Sequence, residues 1–275
     1  MRICSSVQLR QNARFLVFTF LLLCPPVLFS QNDRQPAPLT AAQVAARMEE
    51  KNQERARALG EFAGSRIYRM EYRGFSGNKD AEMTVEMSFL PPASKKFKVV
   101  SQSGSKLIID HVFKKLLQSE QEAMDEENRR RTALTGENYE FALVREEQRS
   151  GGNCYVLSVT PRNRNKFLYQ GTIWVNARDF AVTHIEAEPA RSPSFWIKKT
   201  DIAHDYTKVG DFWLPARNRT VSQVRFGGHA ILSIEYTSYK FVSGAAAHPG
   251  GVKTEPDPSA QPAVAGAMPL NRLPE

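Results

Sequence analysis

Apolar and polar residues alternate along much of the chain, which is the pattern of a β-strand with one buried face. The clearest case is 81–90, where every second residue is apolar, namely Met83, Val85, Met87 and Phe89. In 65–74, Tyr68, Met70 and Tyr72 share one face, and charged residues occupy the other. Both segments are therefore predicted to be strands with one side packed and one side in water.

Short runs of β-branched and aromatic residues continue to Phe241 and are separated by turn residues such as Gly171 and Gly210. This spacing is typical of an antiparallel sheet. The predicted strands cover 65–74, 81–90, 96–101, 105–110, 138–145, 154–160, 171–176, 180–188, 201–209, 217–225 and 230–241, with shorter strand-like runs at 167–170 and 212–215.

Two segments have the pattern of helices. Thr40 is a suitable N-cap for a helix from Ala41 to about Leu59, which Gly60 ends. Val44 and Met48, with Ala56 or Leu59, form its apolar stripe. A second helix is predicted over 111–133, and its charged part, 120–131, is expected to face solvent.

The two ends of the chain differ from the middle. Arg2, Arg10 and Arg14 precede an apolar run at 15–23, and Ser30 offers a cleavage point, so 1–30 is predicted to be a signal peptide. An uncleaved anchor stays open as the alternative, whereas lipid modification of Cys24 is disfavoured by the leucines before it. The remaining predicted segments are a linker at 31–39, one domain at 40–242 and a flexible Gly/Ala/Pro-rich tail at 243–275.

Charge and cysteine content narrow the classes of function. The formal net charge is +8, and it falls to +5 without the three signal arginines. Such a balance favours peripheral contact with anionic membrane surfaces, but no clustered basic module for nucleic acid is present. Cys154 would be the only cysteine of the mature chain, so no internal disulfide is expected, and its strand pattern predicts a buried thiol.

No catalytic or metal-binding motif stands out. None of the five histidines pairs with another at i, i+3 or i, i+4, and His184 is expected to be packed or at the rim of a strand. Neither a Gly-x-Ser-x-Gly elbow nor a Gly-rich phosphate loop occurs. We therefore predict a non-catalytic protein without metal or cofactor, while sequence spacing leaves a two-carboxylate hydrolase open.

Large and soft apolar side chains are numerous on the predicted strands. Methionine and aromatic residues suit a cavity that adapts to an alkyl chain, although each could equally be ordinary core. The candidate ligand-binding residues are Tyr68, Met70, Tyr72, Met83, Met87, Phe89, Phe141, Trp174, Trp196, Trp213 and Tyr236.

Two motifs resemble the LolA/LolB/RseB-like superfamily, which includes outer membrane lipoprotein-sorting proteins. The first runs from Gly171-Thr-Ile-Trp-Val-Asn176 through a turn into Val182-Thr-His-Ile-Glu186, and the second is Gly210-Asp-Phe-Trp-Leu-Pro215. The likeness covers about 40–241. It implies an α+β fold, in which a strongly curved antiparallel sheet of about ten to twelve strands forms an incomplete barrel with helices plugging its open side.

The resemblance also implies an apolar cavity for acyl chains of lipids or lipoproteins. The expected function is therefore that of an exported carrier or sensor in the periplasm or outer envelope. The alternative is a regulatory or assembly module that binds an envelope protein partner, and an envelope hydrolase is a third and weaker hypothesis.

Overall fold

The computed structural model of the protein describes residues 38–75, 77–163, 167–192, 195, 197–225 and 227–242. The predicted signal peptide at 1–30, most of the predicted linker, the predicted tail at 243–275 and Trp196 lie outside the described residues. Within the described ranges, no helix has both the length and the apolarity needed to cross a membrane.

Ten antiparallel strands form one curved and unclosed sheet with the order β3-β2-β1-β10-β9-β8-β7-β6-β5-β4. The strands are β1 (Phe62–Gly74), β2 (Lys79–Leu90), β3 (Ser94–Gly104), β4 (Tyr139–Arg149), β5 (Gly152–Pro161), β6 (Tyr169–Asn176), β7 (Val182–Pro189), β8 (Ile197–Val209), β9 (Phe212–Val224) and β10 (Gly228–Phe241). With helices packed on one face, this is the predicted α+β incomplete barrel.

One row of paired residues defines the covered face of the sheet, because residues directly opposite each other point to the same side. From β2 to β5 the row contains Met83, Tyr68, Ile234, Asn218, His204, Ile185, Ile173 and Leu157. Its two ends are apolar and its middle is polar. The covered face thus carries two separate apolar regions.

The first helix, α1 (Ala41–Ala58), packs on the region formed by β4 to β9. Thr40 and Gln43 form a capping box, which confirms the predicted start of the helix. Val44 and Met48 are fully buried and pack in one core with Leu157 and other residues of the sheet. At the other end, Leu59 is buried and not Ala56.

The strand predicted at 105–110 is wrong. This segment is α2 (Lys106–Ile108) followed by a π-helical turn (Ile109–Phe113), and the helix continues as α3 (Lys114–Glu122). The predicted helix at 111–133 thus begins earlier, and it ends at Glu122 before a separate α4 (Glu126–Thr132). The spacing of the buried residues Ile108, Ile109, Val112, Phe113 and Leu117 is helical, and the short run at 107–109 alone did not show it.

Other boundaries differ by smaller amounts. The second half of the run at 167–170 belongs to β6, and the runs at 212–215 and 217–225 form one strand, β9. Pro215 is tolerated inside β9 because it pairs with Tyr206 beside a shift in register. Phe180 lies in the turn before β7 with a φ of 50°, so this strand starts later than predicted.

Candidate functional site

The second apolar region of the sheet lies beneath the continuous helical segment 106–122, which we call the cover. Its buried residues pack on β1, β2 and β10. The ring centroids of Phe113 and Tyr68 are 5.8 Å apart. The sheet residues of this core are Tyr68, Met70, Ala81, Met83, Val85, Ala230 and Ile234. The cover therefore fills the concave surface that the sequence predicted to be a ligand cavity.

Five predicted ligand-binding residues come together beneath the cover. Tyr68 and Met83 are fully buried, and Met70 is nearly so. Tyr72 and Tyr236 are partly buried and pack against the same core. These five side chains form the candidate site, and they lie on three neighbouring strands.

The remaining predicted residues lie elsewhere. Met87 and Phe89 belong to a separate cluster with Leu59 and Phe62. Phe141 and Trp213 belong to the core beneath α1.

Trp174 lies apart from all of these residues. It clusters with Cys154 and Val156. Because Ile173 belongs to the core beneath α1, its neighbour Trp174 points to the opposite face of the sheet.

A buried ion cluster joins the cover to the sheet. Arg66 Nη2 on β1 donates to Glu120 Oε2 on α3 at 2.7 Å, and Lys95 Nζ on β3 donates to Glu120 Oε1 at 2.8 Å. The Arg66 and Glu120 side chains are only 1% and 5% exposed. Burial favours the neutral carboxyl, but Arg66 and Lys95 outweigh this effect and lower the pKa of Glu120. The cluster is therefore ionised at neutral pH.

Aromatic rings surround the guanidinium of Arg66. It lies 5.3 Å from the ring centroid of Tyr68, 4.9 Å from that of Phe97 and 5.5 Å from that of Tyr236. Such contacts are strongest where water is excluded, as it is here. Arg66 consequently has favourable contacts with the sheet that do not depend on the cover.

The hydroxyl of Tyr68 is a polar atom inside this core. It is buried and has no hydrogen-bond partner among the residues that the structure describes. Burial raises the pKa of Tyr68 well above its ordinary value, so the group stays protonated and can donate. A carbonyl or carboxylate oxygen that entered the site could accept this hydrogen bond.

Buried polar residues on β8 and β9 separate the two apolar regions. Thr200 Oγ1 and Ser222 Oγ are 3.1 Å apart, and Asn218 Nδ2 donates to the Tyr236 hydroxyl at 3.3 Å. Burial lowers the pKa of His204 to about 4, against an ordinary value of 6.5. At neutral pH this histidine is therefore uncharged. The polar strip formed by Thr200, His204, Asn218 and Ser222 thus adds no net charge to the covered face.

The sequence did not predict the ion cluster. Arg66 shares the alternating face of Tyr68, Met70 and Tyr72, which is an unusual place for a cation. Glu120 lies three residues after the buried Leu117, at the spacing of the apolar stripe. In the strand pattern and in the helical pattern, a charged residue stands at a position where the periodicity predicts a buried side chain. That mismatch was the signal in the sequence for a buried ion pair.

A groove of about 550 Å³ crosses β6 to β9, and none of the predicted ligand-binding residues lines it. Its charged residues are Glu186, Glu188, Asp201 and Arg219. Ile185 and Ala187 belong to the core beneath α1, so Glu186 points to the uncovered face. The groove is thus polar and does not suit an alkyl chain.

His184 is packed on the uncovered face, as the sequence predicted. Its Nδ1 is 2.7 Å from Asp205 Oδ1 and its Nε2 is 3.3 Å from Glu186 Oε1, and its ring stands edge-on to Trp174. Burial lowers the pKa of His184, but the hydrogen bonds to these carboxylates outweigh burial and raise it. Among the described residues, no group of three or more histidine, cysteine or acidic side chains could hold a metal ion.

Cys154 is 1% exposed, and burial raises the pKa of its thiol. Since the thiolate is the reactive form, this confirms the expected buried and unreactive side chain.

Comparisons with known proteins give structural likeness only. No protein-family model matches the sequence, and no curated protein matches it. One similar structure is a DUF1329 family protein from Desulfovibrio piger. The match covers 74% of this chain and 92% of that protein, with 12% identity and a TM-score of 0.35. Another is a LolA superfamily protein from Nitrosomonas europaea. That match covers 75% of this chain and 95% of the other protein, with 13% identity and a TM-score of 0.32.

A third similar structure is MucB, which is 13% identical and has a TM-score of 0.26, with 81% of this chain and 65% of MucB covered. At such TM-scores these matches carry no argument about function, which must be derived from the site itself.

Proposed function

We propose that this protein is an exported, non-catalytic envelope protein that binds acyl chains of lipids or lipoproteins beneath the cover, as a carrier or sensor. The observation that supports it is the construction of the cover. Its underside is apolar, a π-helical turn interrupts its helix, and a buried ion pair attaches it to the sheet. Each of these features has a physical consequence for ligand binding.

The surface beneath the cover suits a flexible hydrocarbon. Met70 and Met83 have unbranched side chains that can repack around an irregular apolar guest. Each CH₂ group that is buried there contributes about 0.8 kcal/mol. A long acyl chain could therefore replace the apolar underside of the cover without needing a charged anchor.

The cover is built in a way that favours displacement. The π-helical turn at Ile109–Phe113 interrupts the regular helix, and such turns occur frequently at functional sites. A buried ion pair such as Arg66–Glu120 adds little stability over apolar residues of the same size, because both charges lose their hydration. The ion pair thus fixes the position of the cover while adding little to its stability.

Displacement by a fluorescent fatty acid tests the proposal. Ala230 lies beneath the cover and Ala187 lies beneath α1, and both are about equally buried. We expect Ala230→Leu to fill the site and weaken fatty-acid binding at least tenfold, with Ala187→Leu as the matched control that leaves binding unchanged. Native mass spectrometry of the purified protein should show bound lipid.

Two results would refute the proposal. One is the absence of both bound lipid and fatty-acid affinity in a folded protein. The other is an equal loss of binding in the two leucine variants, which would mean that the acyl chain binds elsewhere.

The second candidate function is an interaction module for an envelope protein. Residues 98–104 of β3 are exposed, they include Val99 and Val100, and β3 is an edge strand. Such an edge can pair with an extended segment of a partner. Crosslinking in cells separates the two functions, because a stable protein partner together with an empty acyl site would favour this one.

A further inference from the structure

Loops at one end of the half-barrel expose large apolar side chains next to cations. Phe75, in the β1–β2 turn, is 98% exposed, and Phe195, before β8, is 67% exposed. Leu107, which follows β3, is 58% exposed. Because the strands are antiparallel, the ends of β1, β3, β7 and β9 and the starts of β2, β8 and β10 all lie at this end. We call it the aromatic rim.

Contacts connect the loops of the aromatic rim. The Ser105 amide donates to the Asp80 carbonyl at 2.7 Å, which places the start of the cover beside β2. The guanidinium of Arg225, in the β9–β10 turn, lies 4.8 Å from the ring centroid of Phe195. Three strand spacings separate β1 from β8, or about 14 Å. The exposed apolar groups are therefore close enough to meet one surface together.

The charge of the aromatic rim is positive. Lys106, Arg191, Lys198 and Arg225 are exposed, and none forms an ion pair with another described residue. Two acids of this end are engaged, since Asp80 pairs with Arg73 and Glu188 pairs with Lys199. The four cations therefore remain available to an external anion.

The opposite end of the half-barrel has a different surface. Among its described residues, Val242 is the large apolar side chain that is exposed. Its turn at 177–181 is compact, because Asn176 Oδ1 accepts from the Arg178 and Asp179 amides. Asp179 in turn accepts from Lys208 and from the Trp213 indole. Within the described ranges, the exposed phenylalanines, Phe75 and Phe195, both lie at the aromatic rim.

We propose that the aromatic rim is a docking surface for an anionic phospholipid bilayer. Aromatic side chains favour the interfacial region of a membrane, and cations beside them are attracted to anionic headgroups. An acidic protein surface would match the charges, but it would leave Phe75 in water unless it offered a separate pocket. Although Lys106 and Leu107 begin the cover, the proposal does not depend on acyl-chain binding beneath it.

Co-sedimentation of the full chain with vesicles tests the proposal. Vesicles of phosphatidylcholine with and without a quarter of phosphatidylglycerol are compared. We expect the triple variant R191Q/K198Q/R225Q to bind the anionic vesicles about 100-fold more weakly, since each cation near an anionic surface strengthens binding several-fold. High salt should have a similar effect on the parent protein, because it screens these charges.

Matched variants at the opposite end serve as controls. R57Q/R178Q/K240Q removes the same charge and should bind within twofold of the parent. F75S/F195S should weaken binding to both kinds of vesicle, and V242S should not. Residues 1–30 are present in every variant, so their own affinity for vesicles cancels in these comparisons.

The proposal is overturned if the parent binds neutral and anionic vesicles equally, or if the two triple variants lose the same affinity. Capture of a protein partner through the aromatic rim, with no vesicle binding that depends on Phe75 and Phe195, would also overturn it. Thermal unfolding of each variant shows that a loss does not come from misfolding.

Discussion

The two helical elements that cover the sheet both bury apolar residues against it, but they differ in regularity and in how they are anchored. α1 is a regular helix of 18 residues with a capping box, and it enters its core with the fully buried Val44 and Met48. The cover is divided by a π-helical turn and is anchored by the buried pair Arg66–Glu120. The comparison teaches that α1 is a continuous capped helix, whereas the cover is an interrupted helix that a buried ion pair joins to the sheet.

The largest expected effect comes from breaking the ion cluster. Glu120→Gln leaves Arg66 buried without a counter-charge, and removal of one partner of a buried pair costs about 3–5 kcal/mol. We expect a loss of this size in the free energy of unfolding, measured with urea.

Glu54→Gln is the control for this variant. Glu54 pairs with Lys51 on the exposed side of α1, where such a pair contributes at most about 1 kcal/mol. A loss below 1 kcal/mol for Glu120→Gln would contradict the view that the cover depends on this cluster.

The polar strip between the two regions predicts a pH dependence. His204 has a folded pKa of about 4, below its ordinary 6.5, so the unfolded chain binds a proton more readily. Its contribution to stability is complete above pH 6.5 and is lost as the pH falls toward 4. The loss amounts to roughly 3 kcal/mol.

Urea unfolding at several pH values checks this expectation. The variant His204→Asn should lose less stability between pH 6.5 and pH 4 than the parent. Asp205 and His184 stay in place in this variant, so their titration is common to both proteins. An unchanged slope would mean that His204 is not the group responsible.

A smaller effect is expected from the start of α1. Thr40→Ala removes the capping box and should cost about 1 kcal/mol of stability. Because Thr40 caps α1, which packs on the other apolar region of the sheet, fatty-acid binding should be unchanged. Weaker binding in this variant would show that α1 and the cover are coupled. It would contradict the view that each is attached to the sheet separately.

The smallest change in stability is expected when both buried charges become apolar. Replacement of a buried ion pair by apolar residues of similar volume is often neutral or stabilising. We expect Arg66→Met with Glu120→Leu to unfold within about 1 kcal/mol of the parent or at higher urea. Stopped-flow measurement of fatty-acid uptake should show slower uptake, because the cover is then held by apolar contacts alone.

The sheet was predictable because alternation shows directly which face is buried. The run at 81–90 corresponds to β2, which ends at Leu90 directly before Pro91. The segment 105–110 was not predictable in this way. Its run of three apolar residues fits a short strand as well as a helix, and the contacts of Phe113 and Leu117 with the sheet decide for the helix.

The candidate site was predictable only in part, for a similar reason. Alternation placed Tyr68, Met70 and Tyr72 on one face, but it could not show that the chain's own helix would cover them. Curvature and register separate residues that look equivalent in sequence. Trp174 and Trp213 thus lie on opposite faces of the sheet.

Hydrogen exchange of the full chain with and without a long-chain fatty acid tests the central claim most directly. Most of the stability of a helix in a protein comes from its packing, so the amides of the cover should exchange faster once an acyl chain has displaced it from the sheet. We predict faster exchange in 106–122 and unchanged exchange in α1. Unchanged or slower exchange in the cover at saturating fatty acid would contradict the claim that the ligand takes its place.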